Sequence, residues 1–249
     1  MALIQAVASD QGGSGGNFAV TIASSTAGSA IIVGVLAVGG FSAAPTVTDN
    51  KSNTYVKIVS DENNAHVSPC ALFVCSNATS GVTTVTVNNG GKDIVFVCEE
   101  SGLVSSGTVD QSAIGANQSS TNAPTTPSVT TTSANEVAYS FVCFGNGQTT
   151  FSAGTGWTAV SGTGITSGQH DNTTAGASMF MERLTLSSTS TIAGTSNATA
   201  TTSGWGSALV TLVVAGQTNI APSAGSATVT GNAPTVTPAN NTVIQTFVA

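Results

Sequence analysis

The sequence predicts an all-β protein: a jelly-roll-like antiparallel β-sandwich followed by an extended C-terminal arm. Three observations carry this expectation. Charged residues make up 6% of the chain, against about 25% in an ordinary soluble domain. Ser, Thr, Asn and Gly stand in their place, and these hold a helix poorly, whereas the interleaved Thr, Val and Ile favour strands. Short apolar segments recur between Gly, Asn, Ser and Pro clusters, and no window sustains a helical apolar period with caps.

The elements follow in order. Residues 1–17 read as an N-terminal extension ending in the Gly-rich hinge Gly12-Gly13-Ser14-Gly15-Gly16. The sandwich is expected over 18–217. It opens with Phe18-Ala19-Val20-Thr21-Ile22, and the continuous apolar run at 31–38 suits a strand buried on both faces. Thr46-Val47-Thr48 leads through the turn cluster Asp49-Asn50-Lys51-Ser52-Asn53 into a strand from Tyr55. Further strands are expected at 71–75, 82–87, 94–99, 108–113, 128–132, 136–144, 158–160, 177–186, 189–193 and 208–214. In 94–98 both faces are apolar, as in a central strand. In 137–143 the large residues Val137, Tyr139 and Phe141 share a face with Cys143, while Ala138 and Ser140 turn to a lightly covered side.

Composition excludes several classes. The longest apolar run, 30–38, is about half the roughly 18–20 residues a membrane-spanning helix needs. Disorder is disfavoured because 40% of residues are hydrophobic and the net charge is only −7. With 4 Lys+Arg and no basic cluster, phosphate-directed nucleic-acid binding is not expected. The N-terminus has no basic segment ahead of a long apolar run, so it does not read as a secretory signal. Cytosolic synthesis joined to a hydroxyl-rich, Lys-poor surface fits a virion component released by lysis; a mature secreted protein would fit as well.

Residues 184–249 contain no Asp, Glu, Lys or Arg. Pro222, Pro234 and Pro238 break the final stretch into short extended pieces with too few large apolar side chains for a separate core. An uncharged strand edge invites pairing unless something covers it. Residues 218–249 are therefore expected to be an assembly arm contacting its partner through Val229, Val236, Val243, Ile244 and Phe247; a disordered tail is the alternative.

No catalytic residues are expected. His170-Asp171 reads as a polar turn, and no nucleophile elbow or phosphate loop is present. Glu99 and Glu100 are neighbours on a strand and point to opposite faces, so they cannot flank one bond, and a pair in water at the strand end is expected. Asp49, Asn50 and Asn53, or Asp61, Glu62 and Asn63, offer oxygens but no calcium-loop spacing, and no cofactor or metal is expected. Cys70, Cys75, Cys98 and Cys143 sit in or beside apolar strands without zinc spacing. Cys98 and Cys143, each ending an apolar strand, are the leading pair for a disulfide formed after release. Trp157, beside Gly156, is a candidate glycan-stacking residue, while Trp205 is expected to cap a sandwich core.

Residues 45–55 resemble the V-T-D-x-x-G-N-T-Y hairpin of β-sandwich domains in phage virion and bacterial surface proteins, with Ser52 in place of Gly. Residues 131–137 and 204–210 look like later strands of the same domains. The resemblance implies a sandwich in a repetitive assembly, as in capsid decoration (cement) proteins or fibre subunits. It carries no catalytic residues. The implied partners are other copies of the chain, with a trimer favoured, and a capsid or other virion protein. The alternatives are a carbohydrate- or surface-binding adhesin, or an extracellular filament subunit built by strand addition.

Overall fold

The computed structural model describes residues 1–11, 16–38, 40–41, 43–63, 68–88, 94–118, 121–145, 150–199 and 204–216. The chain divides into two units, Met1–Gln217 and Thr218–Ala249. The second unit lies outside the described residues, and with it the proposed arm contacts Val229, Val236, Val243, Ile244 and Phe247. His66 and residues 12–15 of the Gly-rich segment lie outside them too.

Among the described residues there are 18 strands and no helix. The first eight are β1 (Ala2–Asp10), β2 (Phe18–Thr21), β3 (Ala30–Leu36), β4 (Thr46–Asp49), β5 (Val56–Ser60), β6 (Cys70–Cys75), β7 (Thr84–Asn88) and β8 (Ile94–Ser101). They form an antiparallel five-stranded sheet in the order β1-β8-β3-β6-β5 and a three-stranded sheet in the order β2-β7-β4. The period-two alternation of side chains explains the stacking. On one face of the larger sheet, Ile31, Val33, Val35, Phe73, Val95 and Val97 pack on Val20, Val85 and Val87 of the smaller one. On its other face lie Ile32, Leu36, Leu72, Ile94 and Phe96. This sheet is covered on both sides, which is why its strands read as unbroken apolar runs.

The other ten strands are β9 (Val109–Gln118), β10 (Val129–Thr130), β11 (Glu136–Phe144), β12 (Phe151–Ser152), β13 (Thr158–Ala159), β14 (Gln169–Asn172), β15 (Ala177–Leu186), β16 (Thr191–Ile192), β17 (Asn197–Ala198) and β18 (Trp205–Val213). They build a second large sheet, β13-β15-β11-β18-β9, with β14 also on β15. Its inner face carries Val137, Tyr139, Phe141, Cys143, Met179, Met181, Val210 and Leu212 against the first large sheet, and this contact is the main core. The outer face is covered by the two-stranded ribbons β10-β16 and β12-β17 and their loops.

The two halves share one connectivity. Replacing β1, β8, β3, β6 and β5 by β9, β18, β11, β15 and β13 reproduces the strand order of the large sheet, and each replacement keeps its place along the chain. The outer layer follows suit: β2-β7 matches β10-β16, and β7-β4 matches β17-β12. The second half has ten strands to the first half's eight, because β14 is added and β16 and β17 share the place of β7. Residues 1–217 thus form two related halves, each a large sheet with a smaller cover, packed large sheet to large sheet.

Four expectations are corrected. Residues 2–10 are not an extension but the sandwich strand β1, paired with β8. His170-Asp171 is not a turn but part of β14. The outer face of β11 is fully covered, since Ala138, Ser140 and Val142 are buried with the rest of the strand. Glu99 and Glu100 do point to opposite faces, but both are 0% exposed.

Candidate functional site

The charged residues account for much of the chemistry. Glu99 accepts hydrogen bonds from Thr26 N (2.6 Å), Ser29 Oγ (2.8 Å) and Gln5 Nε2 (2.6 Å), tying β8 to the loop before β3. Glu100, on the other face, receives Arg183 Nη2 (2.8 Å) and Nε (3.0 Å) and the Tyr139 hydroxyl (2.5 Å). This fork joins the two large sheets inside the core. Glu182 occupies the outer face of β15 and takes the backbone N–H groups of Gly154 (2.9 Å) and Thr195 (3.0 Å). Burial raises its pKa against the opposing effect of those donors. Buried carboxylates demand such partners, and here they serve as internal staples.

The Asp49 cluster has the same character. Its Oδ1 accepts from the N–H groups of Lys51 (2.8 Å) and Asn53 (3.1 Å), and its Oδ2 from Asn53 Nδ2 (2.8 Å) and the Tyr55 hydroxyl (3.0 Å). Burial would raise its pKa, but these bonds outweigh it and hold the carboxyl below its ordinary value. With its oxygens already engaged, the loop reads as a clasp and not a cation site; the hairpin expected at 45–55 does not form, because β4 pairs with β7 and β5 with β6 in a different sheet. Ser52 sits at φ +58°, the left-handed conformation that Gly adopts most readily.

Trp157 does not offer a glycan platform. It is 9% exposed, its ring packs with Ala138 and Leu209, and its Nε1–H donates to Ala193 O (3.1 Å). Trp205 closes a core with Val142, Phe144, Phe151 and Phe180, as expected. Cys98 and Cys143 are not bonded to each other. All four cysteines are free and buried. The Cys98 Sγ lies 3.5 Å from Met181 Sδ, whereas the Cys143 thiol is raised by burial and by the neighbouring Cys70.

Two surface features remain. A groove of about 270 Å³ beside β14 is lined by Thr166, Ser167, Gln169, His170 and Asp171. Its polar groups are largely engaged: Asp171 Oδ1 accepts from Gln169 Nε2 (2.6 Å) and Ser178 Oγ (2.6 Å), and His170 Nε2 meets Asp10 Oδ1 at 2.9 Å. Among the described residues no group of three or more His, Cys, Asp or Glu could hold a metal. The second feature is the seam where edge strands β5 and β9 meet. Val56, Ile58, Val74, Gly107, Thr108 and Val109 line an uncharged groove of about 200 Å³ there, and Val56 is 57% exposed. At the opposite seam the chain closes itself, because Thr163 exchanges hydrogen bonds with Ala6 O and Ala8 N on β1, both 2.9 Å.

No family model, curated protein or solved structure matches this chain.

The seam was not visible in the sequence. Val56 and Ile58 read as one more strand pattern, and only the strand order reveals that β5 and β9 are edges side by side. What the sequence did signal was the scarcity of charge. Among the described residues, the charged side chains that reach the surface as exposed are Asp10, Lys51, Lys57, Glu62 and Asp171. Lys57 pairs with Glu62, and Asp10 with His170.

Proposed function

We propose that this chain is a non-catalytic structural protein of a virus particle, a capsid decoration (cement) or fibre subunit that works by packing against copies of itself and a larger shell. The observation that carries the reading is the near-neutral surface. Glu99, Glu100, Glu136 and Glu182 are fully buried, and what remains outside is mainly Ser, Thr, Asn and Gly. A surface with so little charge has weak self-repulsion, which opposes solubility as a monomer and favours close contact between copies. The open β5–β9 seam supplies an apolar, hydrogen-bond-competent edge for a second copy.

The adhesin alternative depended on an exposed Trp157, and the covered ring removes that support. Immunogold labelling of particles from the source material with an antibody to this chain tests the proposal. Label on capsids or fibres is the expected result; label confined to cell surfaces, with bare particles, would overturn it.

A further inference from the structure

The two large sheets of a sandwich normally lie about 10 Å apart, too far for most cysteine pairs to be bridged. At one corner of this molecule they converge. Gly206 is the register partner of Cys143, and a Cβ on it would collide with the carbonyl oxygen of Ser68. The same Cβ would stand 3.4 Å from Cys70 Sγ. One turn of chain further on, Gly145 N donates to Ser68 Oγ at 2.8 Å. Cys70 begins β6 in the first unit and Cys143 nears the end of β11 in the second; both face the shared core, 1% and 0% exposed. Cys70 is the neighbouring group that, after burial, acts on the Cys143 thiol.

We propose that Cys70 and Cys143 are a redox-responsive pair that closes into a disulfide between the two units when the protein meets a peroxide. One thiol sulfur takes an oxygen from hydrogen peroxide, giving a sulfenic acid and one water. The second sulfur displaces the hydroxyl, which leaves with the remaining thiol proton as a second water. Two thiols lose two electrons and the peroxide gains them. Burial and the neighbouring Cys70 raise the Cys143 thiol well above its ordinary pKa, so the reaction is slow and the pair stays reduced in a reducing cell. Closure joins two separately built sheets through a long loop, the geometry in which a crosslink restricts the unfolded chain most.

The other thiols are placed differently. Cys98 lies against Met181, and Cys75 belongs to the core on the far face of the first large sheet. The test uses the full chain, incubated with hydrogen peroxide, blocked with an alkylating agent in denaturant, digested with pepsin and mapped by mass spectrometry without reduction. The expected result is one crosslinked pair joining the Cys70 and Cys143 peptides, with Cys75 and Cys98 alkylated and Tm raised by several degrees. C98A retains the crosslink; C70A and C143A lose both it and the rise in Tm. Four alkylated cysteines after oxidation, or a crosslink through Cys98 or Cys75, would overturn the proposal, and this reading of the wild-type protein does not depend on any variant folding.

Discussion

Gly34 shows how tightly the central core is specified. It lies in mid-strand on β3, where glycine is otherwise unfavourable, and a Cβ there would stand 2.5 Å from Phe141 Cε1 and 2.7 Å from the Met179 methyl. Both neighbours are buried to 1% exposure, so neither can swing away. G34A should cost about 1–3 kcal/mol through overpacking, read as a lower denaturant midpoint at unchanged m-value. The Arg183–Glu100 fork sets a harsher test. R183M leaves the Glu100 carboxylate buried with the Tyr139 hydroxyl alone, and removing one partner of a buried pair costs about 3–5 kcal/mol. Chemical denaturation of R183M against wild type measures it; a change under 1 kcal/mol would show that the fork is not a staple. Glu136 gives the pH signature. Burial pushes its pKa up to about 7; the Thr211 hydrogen bond opposes this, the facing Asp110 carboxylate adds to it, and the Ser133 N–H opposes it slightly. Because the folded value lies above the unfolded one, its contribution is full below the ordinary carboxylate range and is lost as pH rises through about 7. E136Q should therefore match wild type near pH 4 and become the more stable of the two above pH 7, in thermal melts taken across that range.

At the scale of elements, much was legible and the reason is the period-two pattern. Residues 31–36 and 94–98 are apolar on both faces because two different layers cover their sheet, and the sequence can carry that information locally. The face assignment of 137–143 held for the same reason. What stayed hidden depends on long-range pairing. Ala2–Asp10 alternates weakly and lies ahead of a Gly-rich segment, yet β8 recruits it as an edge. Gln169–Asn172 is polar, but its backbone completes the ladder on β15. Glu99 and Glu100 look like a solvated strand end until the strand order brings Thr26, Ser29, Tyr139 and Arg183 to them. Cys98 and Cys143 are unbonded for a like reason: matching cysteines by strand end ignores which corner of the sandwich each end occupies. The β5 edge carries its own prediction. V56D places a charge on an exposed, uncharged seam, so Tm should move by no more than a degree or two, while any self-association through that seam is lost.

For the whole molecule, the repeated strand order explains why the main core lies between the halves and not inside either one. Each unit covers one face of its large sheet with its own small sheet or ribbons, and leaves the other face to its counterpart. The pairing is not symmetric at the edges. Residue Thr163 closes the seam beside β1, while the seam of β5 and β9 stays open. An edge that is open, uncharged and set in a nearly neutral surface is the physical basis for the proposed assembly role. Its most direct test is the molar mass of the full chain in solution, measured by light scattering over a concentration series, for wild type and V56D. The account predicts a closed homo-oligomer for wild type, with a trimer favoured, and a shift to monomer for V56D. A wild-type protein that stays monomeric at every concentration would contradict it.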